Sequence, residues 1–89
     1  MPSPLPPPVA ETAPTSTQVT DYDRAHIVTY LRLLDAAAEG AAWEEVARIV
    51  LQIDPFAEPD RARRAFDTHL ARARWLSEQG YRGLLRPTN

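Results

Sequence analysis

The chain has 89 residues and no cysteine, which leaves room for one small domain and excludes a disulfide framework or a thiolate metal site. Its ten basic residues, all arginine, are outnumbered by 12 acidic residues, so the formal charge of −2 lacks the basic excess usual in folded nucleic-acid binders. No run reaches the ~18 apolar residues of a membrane span, and the N-terminus has neither the basic nor the apolar region of a secretory signal. We therefore expect a soluble, cytoplasmic protein.

The N-terminal stretch, residues 1–20, is rich in proline, serine and threonine and carries one charge, Glu11. Proline removes backbone donors, and the few apolar side chains cannot offset the entropy of ordering this stretch. We therefore predict a disordered, proline-rich tail over residues 1–20 and a folded domain over residues 21–86.

The first helix is predicted over about residues 21–39. Thr20 and Asp23 have the spacing of a capping box, and Gly40 provides a left-handed stop. One face of this helix is expected to enter the core and holds Ile27, Leu31, Leu34 and Ala38. An adjoining stripe holds Tyr22, His26, Tyr30, Leu33 and Ala37. This second stripe is either covered by the C-terminal segment or a surface for a protein partner.

The second helix is predicted over about residues 43–52, and a connection with two prolines follows it. The inward positions of the helix are Trp43, Val46, Ala47, Val50 and Ile53. Pro55 disfavours helical geometry at Asp54, and Pro59 is placed to start the next helix. Phe56 is the large apolar residue between the two prolines, so we expect it to anchor the turn in the core.

The third helix is predicted over about residues 60–79 and ends at Gly80. Its inward positions are Ala62, Ala65, Phe66, His69, Leu70, Ala73 and Leu76. Trp75 projects to the opposite side, where it is either covered by the end of the domain or a contact anchor for another protein. Tyr81, Leu84 and Leu85 are apolar enough to pack back on the helices. Because strand-like alternation is absent, the predicted fold class is all-α.

The second and third predicted helices follow the order of a helix-turn-helix DNA reader: a helix, a connection, here a long one, and a second helix that begins with arginines. If the chain binds DNA, the residues expected to do so are Arg61, Arg63, Arg64 and Thr68. Acidic residues stand where such a reader needs cations: Asp54, Glu58, Asp60 and Asp67. Asp60 is expected to form ion pairs with Arg61 and Arg64, and Asp67 with Arg63 and Arg64, because these residues are neighbours along the helix surface.

Catalysis, a cofactor and a metal site have no support in the sequence. His26 and His69 are its two histidines, and they lie on different predicted helices without a second ligand at metal-binding spacing. The three glycines belong to helix ends and do not form a phosphate-binding loop. We therefore predict no enzyme activity, no cofactor and no metal.

Several runs together resemble one large proteobacterial family. They are Tyr22-Asp23-Arg24, Tyr30-Leu31-Arg32-Leu33-Leu34-Asp35, Trp43-Glu44-Glu45-Val46-Ala47-Arg48, Ile53-Asp54-Pro55, Arg61-Ala62-Arg63-Arg64-Ala65, His69-Leu70-Ala71-Arg72-Ala73-Arg74-Trp75-Leu76 and Gly80-Tyr81. The family was long catalogued as a domain of unknown function and is related to the DNA-binding domain of the RovC-like regulator of type VI secretion. The resemblance covers residues 21–86 and implies an extended-turn helix-turn-helix fold.

The resemblance also implies a function in regulating integrative and conjugative elements. Family members are the DNA-binding half of activators of excision and transfer, or small standalone proteins such as the QseM-type antiactivators, which bind the activator and silence it. The acidic charge and the lack of a preceding domain favour the antiactivator form. Its implied partner is the N-terminal domain of the activator, with LuxR-type quorum-sensing regulators as a further target to be tested.

The favoured hypothesis is therefore an antiactivator that mimics the activator's own helix-turn-helix domain. Its acidic face would keep it off DNA, because like charge removes the main source of affinity for phosphate. The expected partner-binding residues are the apolar ones left after the core is filled: Tyr22, His26, Tyr30, Leu33, Trp75 and Tyr81. The alternative is a small DNA-binding transcriptional regulator.

Overall fold

The computed structural model describes residues 7–78. Within this range the elements are helices α1 (Asp21–Ala25), α2 (Ile27–Ala38) and α3 (Trp43–Val46), a π-helical segment (Ala47–Leu51), and helix α4 (Pro59–Glu78). These residues contain no strand, so the predicted all-α class is confirmed. Helix α4 is the centre of the fold and packs against α2, α3 and the π-helical segment. No helix in the described part of the chain is long and apolar enough to cross a membrane.

The predicted first helix is interrupted at His26. It begins as predicted: the Asp23 N–H donates to the Thr20 hydroxyl at 3.1 Å, and the Thr20 N–H donates to the Asp23 carboxylate at 2.9 Å. His26 then leaves helical geometry, with φ −115° and ψ 22°. Its ring Nδ1 lies 2.8 Å from the carbonyl oxygen of Tyr22, one turn earlier. A side chain inserted into the backbone ladder is a recognised cause of a helix break.

Helix α2 ends as predicted at Gly40, which has φ 72°. The Gly40 N–H donates to the Ala37 carbonyl at 3.1 Å, and the Ala41 N–H donates to the Ala36 carbonyl at 3.0 Å. These two bonds form a Schellman motif, in which a left-handed residue satisfies the last carbonyls of a helix. Glycine suits this position because it has no Cβ to oppose a positive φ.

The predicted core face of the first helix is only partly right, since Ile27 and Leu34 pack half-buried against the core. Leu31 is 38% exposed, whereas Tyr30 and Leu33, from the stripe left over in the prediction, are fully buried. For Tyr30 the reason lies in a polar neighbour. The Tyr30 hydroxyl donates to the Asp23 carboxylate at 2.8 Å, so the ring is buried without stranding its oxygen. The hydrophobic pattern alone could not show that a tyrosine on this stripe had a partner inside the domain.

The inward positions predicted for the other two helices agree better with the structure. On α4 all seven are buried or half-buried, and His69, Ala73 and Leu76 are completely buried. In the preceding helix Val46 and Ala47 are buried, while Trp43 packs against the core from a half-buried position. These assignments hold because each helix has one clear apolar stripe that faces the core.

Phe56 does not anchor the turn, contrary to the prediction, and is 85% exposed. Pro55 is buried in its place. The Asp54 carboxylate accepts hydrogen bonds from the N–H groups of Phe56 at 2.8 Å and Ala57 at 3.2 Å. This side-chain-capped turn fixes the backbone so that successive side chains diverge, with Pro55 directed inward and Phe56 outward.

The predicted tail needs correction over residues 8–18. This segment has no helix or strand, yet Val9 and Ala13 are buried against the helices. Its backbone is also bonded to the domain, since the Ala10 N–H donates to the Tyr22 hydroxyl at 2.9 Å. We call residues 8–18 the N-terminal strap. Hydrogen bonds from side chains of the helices to the strap backbone offset the entropy lost when the strap becomes ordered. The composition of residues 1–20 gives no sign of these partners, which lie elsewhere in the chain.

Candidate functional site

Residues 43–78 form a helix-turn-helix unit with a long turn. Helix α3 and the π-helical segment make its first helix, and α4 is the second. The first helix ends at Gln52, which has a left-handed φ of 59°. The turn then closes through Asp54, whose carbonyl oxygen accepts from the Glu58 N–H at 2.9 Å. In this motif the second helix reads DNA, so the first turns of α4 are the place to seek a nucleic-acid interface.

Two arginines at the start of α4 are paired along the helix. The Arg61 guanidinium lies 3.0 Å from a carboxylate oxygen of Glu58, and Arg63 Nε lies 3.1 Å from a carboxylate oxygen of Asp67. The guanidinium of Arg63 also lies over the Trp43 ring, 5.0 Å from its centre. Both ion pairs are half-exposed, so they are weak, but each places a negative charge where a phosphate would bind.

The third arginine, Arg64, is paired with the N-terminal strap. Its guanidinium forms an ion pair with Glu11, 53 residues away in sequence. One turn later the Thr68 hydroxyl accepts from the Ala13 N–H at 3.1 Å and donates to the Arg64 carbonyl at 2.9 Å. Two of the four residues expected to contact DNA are therefore engaged by residues 8–18.

The four acids predicted to oppose DNA are all exposed: Asp54, Glu58, Asp60 and Asp67. Asp60 lies in the first turn of α4, where a negative charge suits the positive end of the helix dipole. Its predicted partners, Arg61 and Arg64, pair with Glu58 and Glu11. The predicted interleaving of opposite charges is present, although the partners differ in part.

A family model described as the DNA-binding domain of a type VI secretion transcription factor, RovC, matches residues 7–86. The chain belongs to this RovC DNA-binding domain family. It is a small regulator-like domain of a DNA-binding family. A search of curated proteins gave no match. The match begins at residue 7, so it includes the strap as well as residues 21–86.

A buried ion pair joins the strap, α1 and α4 of this RovC-type domain. The Arg72 guanidinium lies 2.7 Å from the Asp23 carboxylate, and the two side chains are 4% and 0% exposed. Arg72 also donates to the carbonyl oxygens of Ser16 and Gln18 in the strap. Arg72 is not among the inward positions predicted for the third helix. Its spacing on α4, three residues after the inward His69, was the available signal that it points inward.

The pKa of Asp23 reflects this environment. Burial would raise the pKa, but hydrogen bonds from Arg72, from the Thr20 N–H and from Tyr30 outweigh burial and lower the pKa to about 2. Burial, together with the bond to Asp23, raises the pKa of Tyr30. Asp23 is therefore charged in the folded domain, and the positive charge of Arg72 compensates its negative charge.

A second polar cluster joins the strap to α4 through Tyr22 and His69. The Tyr22 hydroxyl lies 2.6 Å from His69 Nε2, and His69 Nδ1 lies 2.7 Å from the Ala65 carbonyl oxygen. Since a carbonyl can only accept, Nδ1 carries the proton and Nε2 accepts from Tyr22. Burial lowers the pKa of His69, so the ring is neutral in the folded domain.

Acid should destabilise the domain in two steps. The folded pKa of His69 is below its ordinary value of 6.5, so the unfolded chain takes up this proton first and stability falls as pH drops below about 6.5. Protonation of Asp23 lowers the free energy of unfolding by a further amount of about 2 kcal/mol as pH falls from about 3.8 to about 2, because its pKa is lower in the folded domain than in the unfolded chain. Urea unfolding at pH 7, 6 and 5 measures the first step, which His69→Gln should flatten. An unchanged slope in that variant would contradict the assignment.

The predicted partner-binding residues do not form an exposed surface. Tyr30, Leu33 and His26 are at most 5% exposed, so their assignment to a partner surface is wrong for the folded domain. Tyr22 is half-buried beneath the strap, and Trp75 is half-buried with the Arg72 guanidinium 4.4 Å from its ring centre. The sixth residue of the set, Tyr81, lies outside residues 7–78, as do Leu84 and Leu85.

Groups of three or more metal-ligating side chains are absent from the part of the chain that the structure describes. In the same range, every buried side-chain nitrogen or oxygen has a hydrogen-bond partner. A cavity of about 260 Å³ lies between the strap and α4, lined by residues 13–17 on one side and by Thr68, Ala71, Arg72 and Trp75 on the other.

Proposed function

We propose that this RovC-type domain is an antiactivator that binds the transcriptional activator of excision and transfer of a conjugative element. It would present the shape of the activator's own helix-turn-helix domain to the activator's N-terminal domain and occupy the surface used there. Transcription activation would then fail, because the activator's own reading domain is displaced. The helix-turn-helix unit and the family match support the shape that this mimicry needs.

The pairing of the arginines is the observation that carries the proposal. Each arginine in the first two turns of α4 faces a carboxylate, supplied by Glu58, Asp67 or Glu11. DNA affinity comes largely from cations that neutralise phosphates and release counterions. A reading helix whose arginines are already paired with carboxylates of the same chain has lost part of this contribution to DNA affinity, and a net charge of −2 adds long-range repulsion.

The partner contact is proposed for one of the large apolar side chains that remain exposed. Among residues 7–78 these side chains are Val28, Leu31, Ile49 and Phe56. Phe56 is the strongest candidate for an anchor because it is 85% exposed on a turn that Asp54 holds in place. Because the backbone at Phe56 is already held in place, less conformational entropy is lost when the ring enters a pocket on a partner. The acids Asp54 and Asp60 nearby fit a partner pocket with a basic rim.

A DNA-binding regulator remains the second candidate, because the family is described as a DNA-binding domain. In that case Arg61, Arg63 and Arg64 would exchange their carboxylate partners for phosphates. Such an exchange is electrostatically feasible, since exposed ion pairs contribute only about 0.2 to 1 kcal/mol. The two candidates therefore differ in what the isolated domain binds.

Two measurements with the full-length chain separate these candidates. The tagged chain is expressed with the activator from its parent element, and co-purification and transcription from the activator-dependent promoter are measured. We expect the activator to co-purify and transcription to fall. The purified chain is then titrated with promoter DNA at several salt concentrations. Tight, steeply salt-dependent DNA binding without activator binding would overturn the proposal. A LuxR-type regulator serves as a second bait.

A further inference from the structure

The N-terminal strap is fixed to the helices at several points along its length. Val9 and Ala13 are buried, and the Ala10 and Ala13 N–H groups donate to the hydroxyls of Tyr22 and Thr68. Farther along, Arg72 donates to two strap carbonyl oxygens. These bonds involve the strap backbone, so they hold its position largely independently of its side chains. The family match also starts at residue 7 and so includes it.

This position places the one carboxylate of the strap on the reading helix. Glu11 forms its ion pair with Arg64, and the neighbouring Ala13 N–H occupies the Thr68 hydroxyl. Carboxylate and phosphate oxygens both accept charge-assisted hydrogen bonds from a guanidinium. An exposed ion pair is weak when its members are independent, but the backbone contacts keep Glu11 close to Arg64 at a high effective concentration.

We propose that the N-terminal strap is a cis-acting competitor for nucleic acid, in which Glu11 takes the place of a backbone phosphate on Arg64. The ligand with which the strap competes is the sugar-phosphate backbone of duplex DNA. Arg61 and Arg63 pair with acids on the helix or next to it, whereas Arg64 pairs with a segment that can detach without unwinding α4. Displacement of Glu11 opens a phosphate site at Arg64 and Thr68. This competition is independent of whether the chain binds an activator.

The test compares two variants that change the net charge equally. Glu11→Gln removes the carboxylate that faces Arg64, and Glu39→Gln removes an exposed carboxylate at the end of α2, outside the helix-turn-helix unit. Binding of each full-length variant to a mixed-sequence duplex of about 20 base pairs is measured by fluorescence anisotropy at several salt concentrations. Circular dichroism checks that both variants remain folded.

Glu11→Gln should bind the duplex about five- to tenfold more tightly than wild type at low salt, and Glu39→Gln within about twofold of it. The log–log salt slope of Glu11→Gln should be steeper by about 0.9, the value for one further phosphate contact. Equal shifts in both variants would mean that net charge alone matters and would overturn the proposal. So would an unchanged slope in Glu11→Gln.

A second readout follows the strap itself. Trp75 lines the cavity under residues 13–17, so its fluorescence reports on whether the strap is in place. In a Trp43→Phe background Trp75 is the remaining tryptophan. Addition of the duplex at low salt to the Trp43→Phe chain that keeps Glu11 should shift Trp75 emission to longer wavelength, because the duplex must displace the strap to reach Arg64. DNA binding with no change in Trp75 emission would show that the strap does not compete, and the proposal would be wrong.

Discussion

Arg72→Met is expected to leave the domain largely unfolded at room temperature, whereas Arg74→Met should change the free energy of unfolding by less than about 0.5 kcal/mol. Arg72 is the partner of the completely buried Asp23, and Arg74, two residues along the same helix, is exposed. The loss of one member of a buried ion pair costs about 3 to 5 kcal/mol, because the other charge is left without compensation. A domain this small has little more stability than that.

Urea unfolding followed by circular dichroism measures this effect. Part of the lost stability should return when Asp23→Asn is added to Arg72→Met, because the stranded charge is then absent. The strap carbonyls of Ser16 and Gln18 would still lack their donor, so recovery should be incomplete. An Arg72→Met variant as stable as wild type would show that this ion pair does not hold the strap and α1 on α4.

Phe56→Ser is expected to lower the affinity for the activator by at least about 30-fold, the loss that marks an interface hot spot. The free energy of unfolding should change by less than about 0.5 kcal/mol, since the ring is 85% exposed and makes little contribution to the core. Affinity is measured by isothermal titration calorimetry with the purified activator, and stability by urea unfolding.

Val28→Ser is the matched control for this substitution. Val28 is also a large apolar side chain, 58% exposed, but it lies on α2 rather than on the turn. An affinity loss confined to Phe56→Ser would place the anchor on the turn. If wild type binds the activator and Phe56→Ser binds equally well, the anchor lies elsewhere and the antiactivator proposal still stands. If wild type does not bind the activator, the proposed function itself fails.

The helices and their ends could be read largely from the sequence. The capping box at Thr20, the left-handed stop at Gly40 and the start of α4 at Pro59 are local effects, which depend on residues a few positions apart. The inward face of α4 was also predictable, because one apolar stripe recurs along its length. Local signals and helix periodicity were therefore sufficient for the architecture.

The core face of α2 and the position of the strap were not predictable in this way. Tyr30 is buried because Asp23 accepts its hydroxyl, and Asp23 is buried because Arg72 reaches it from 49 residues away. Such a network becomes visible only when three separate segments are brought together. The strap depends on the same network, since Arg72 binds its carbonyl oxygens. Composition therefore correctly indicated a segment without regular structure but not its contacts.

The candidate site was predictable as a set of charges but not as a set of contacts. Helical spacing correctly gave the pair of Arg63 with Asp67, four residues apart. It could not give the pair of Arg64 with Glu11, because no rule of local spacing links residues 53 positions apart. Phe56 was misplaced for a related reason, since hydrophobicity favours burial but the Asp54-capped turn sets its direction.

The arginines of the reading helix in this RovC-type domain are paired with the domain's own carboxylates, and we therefore expect the domain to bind protein in preference to DNA. A salt titration of the wild-type full-length chain with promoter DNA tests this most directly. We expect a Kd no tighter than about 10⁻⁴ M at physiological salt, the weak end of non-specific binding. A Kd of about 10⁻⁸ M with a steep loss of affinity as salt rises would contradict the claim and favour a DNA-binding regulator.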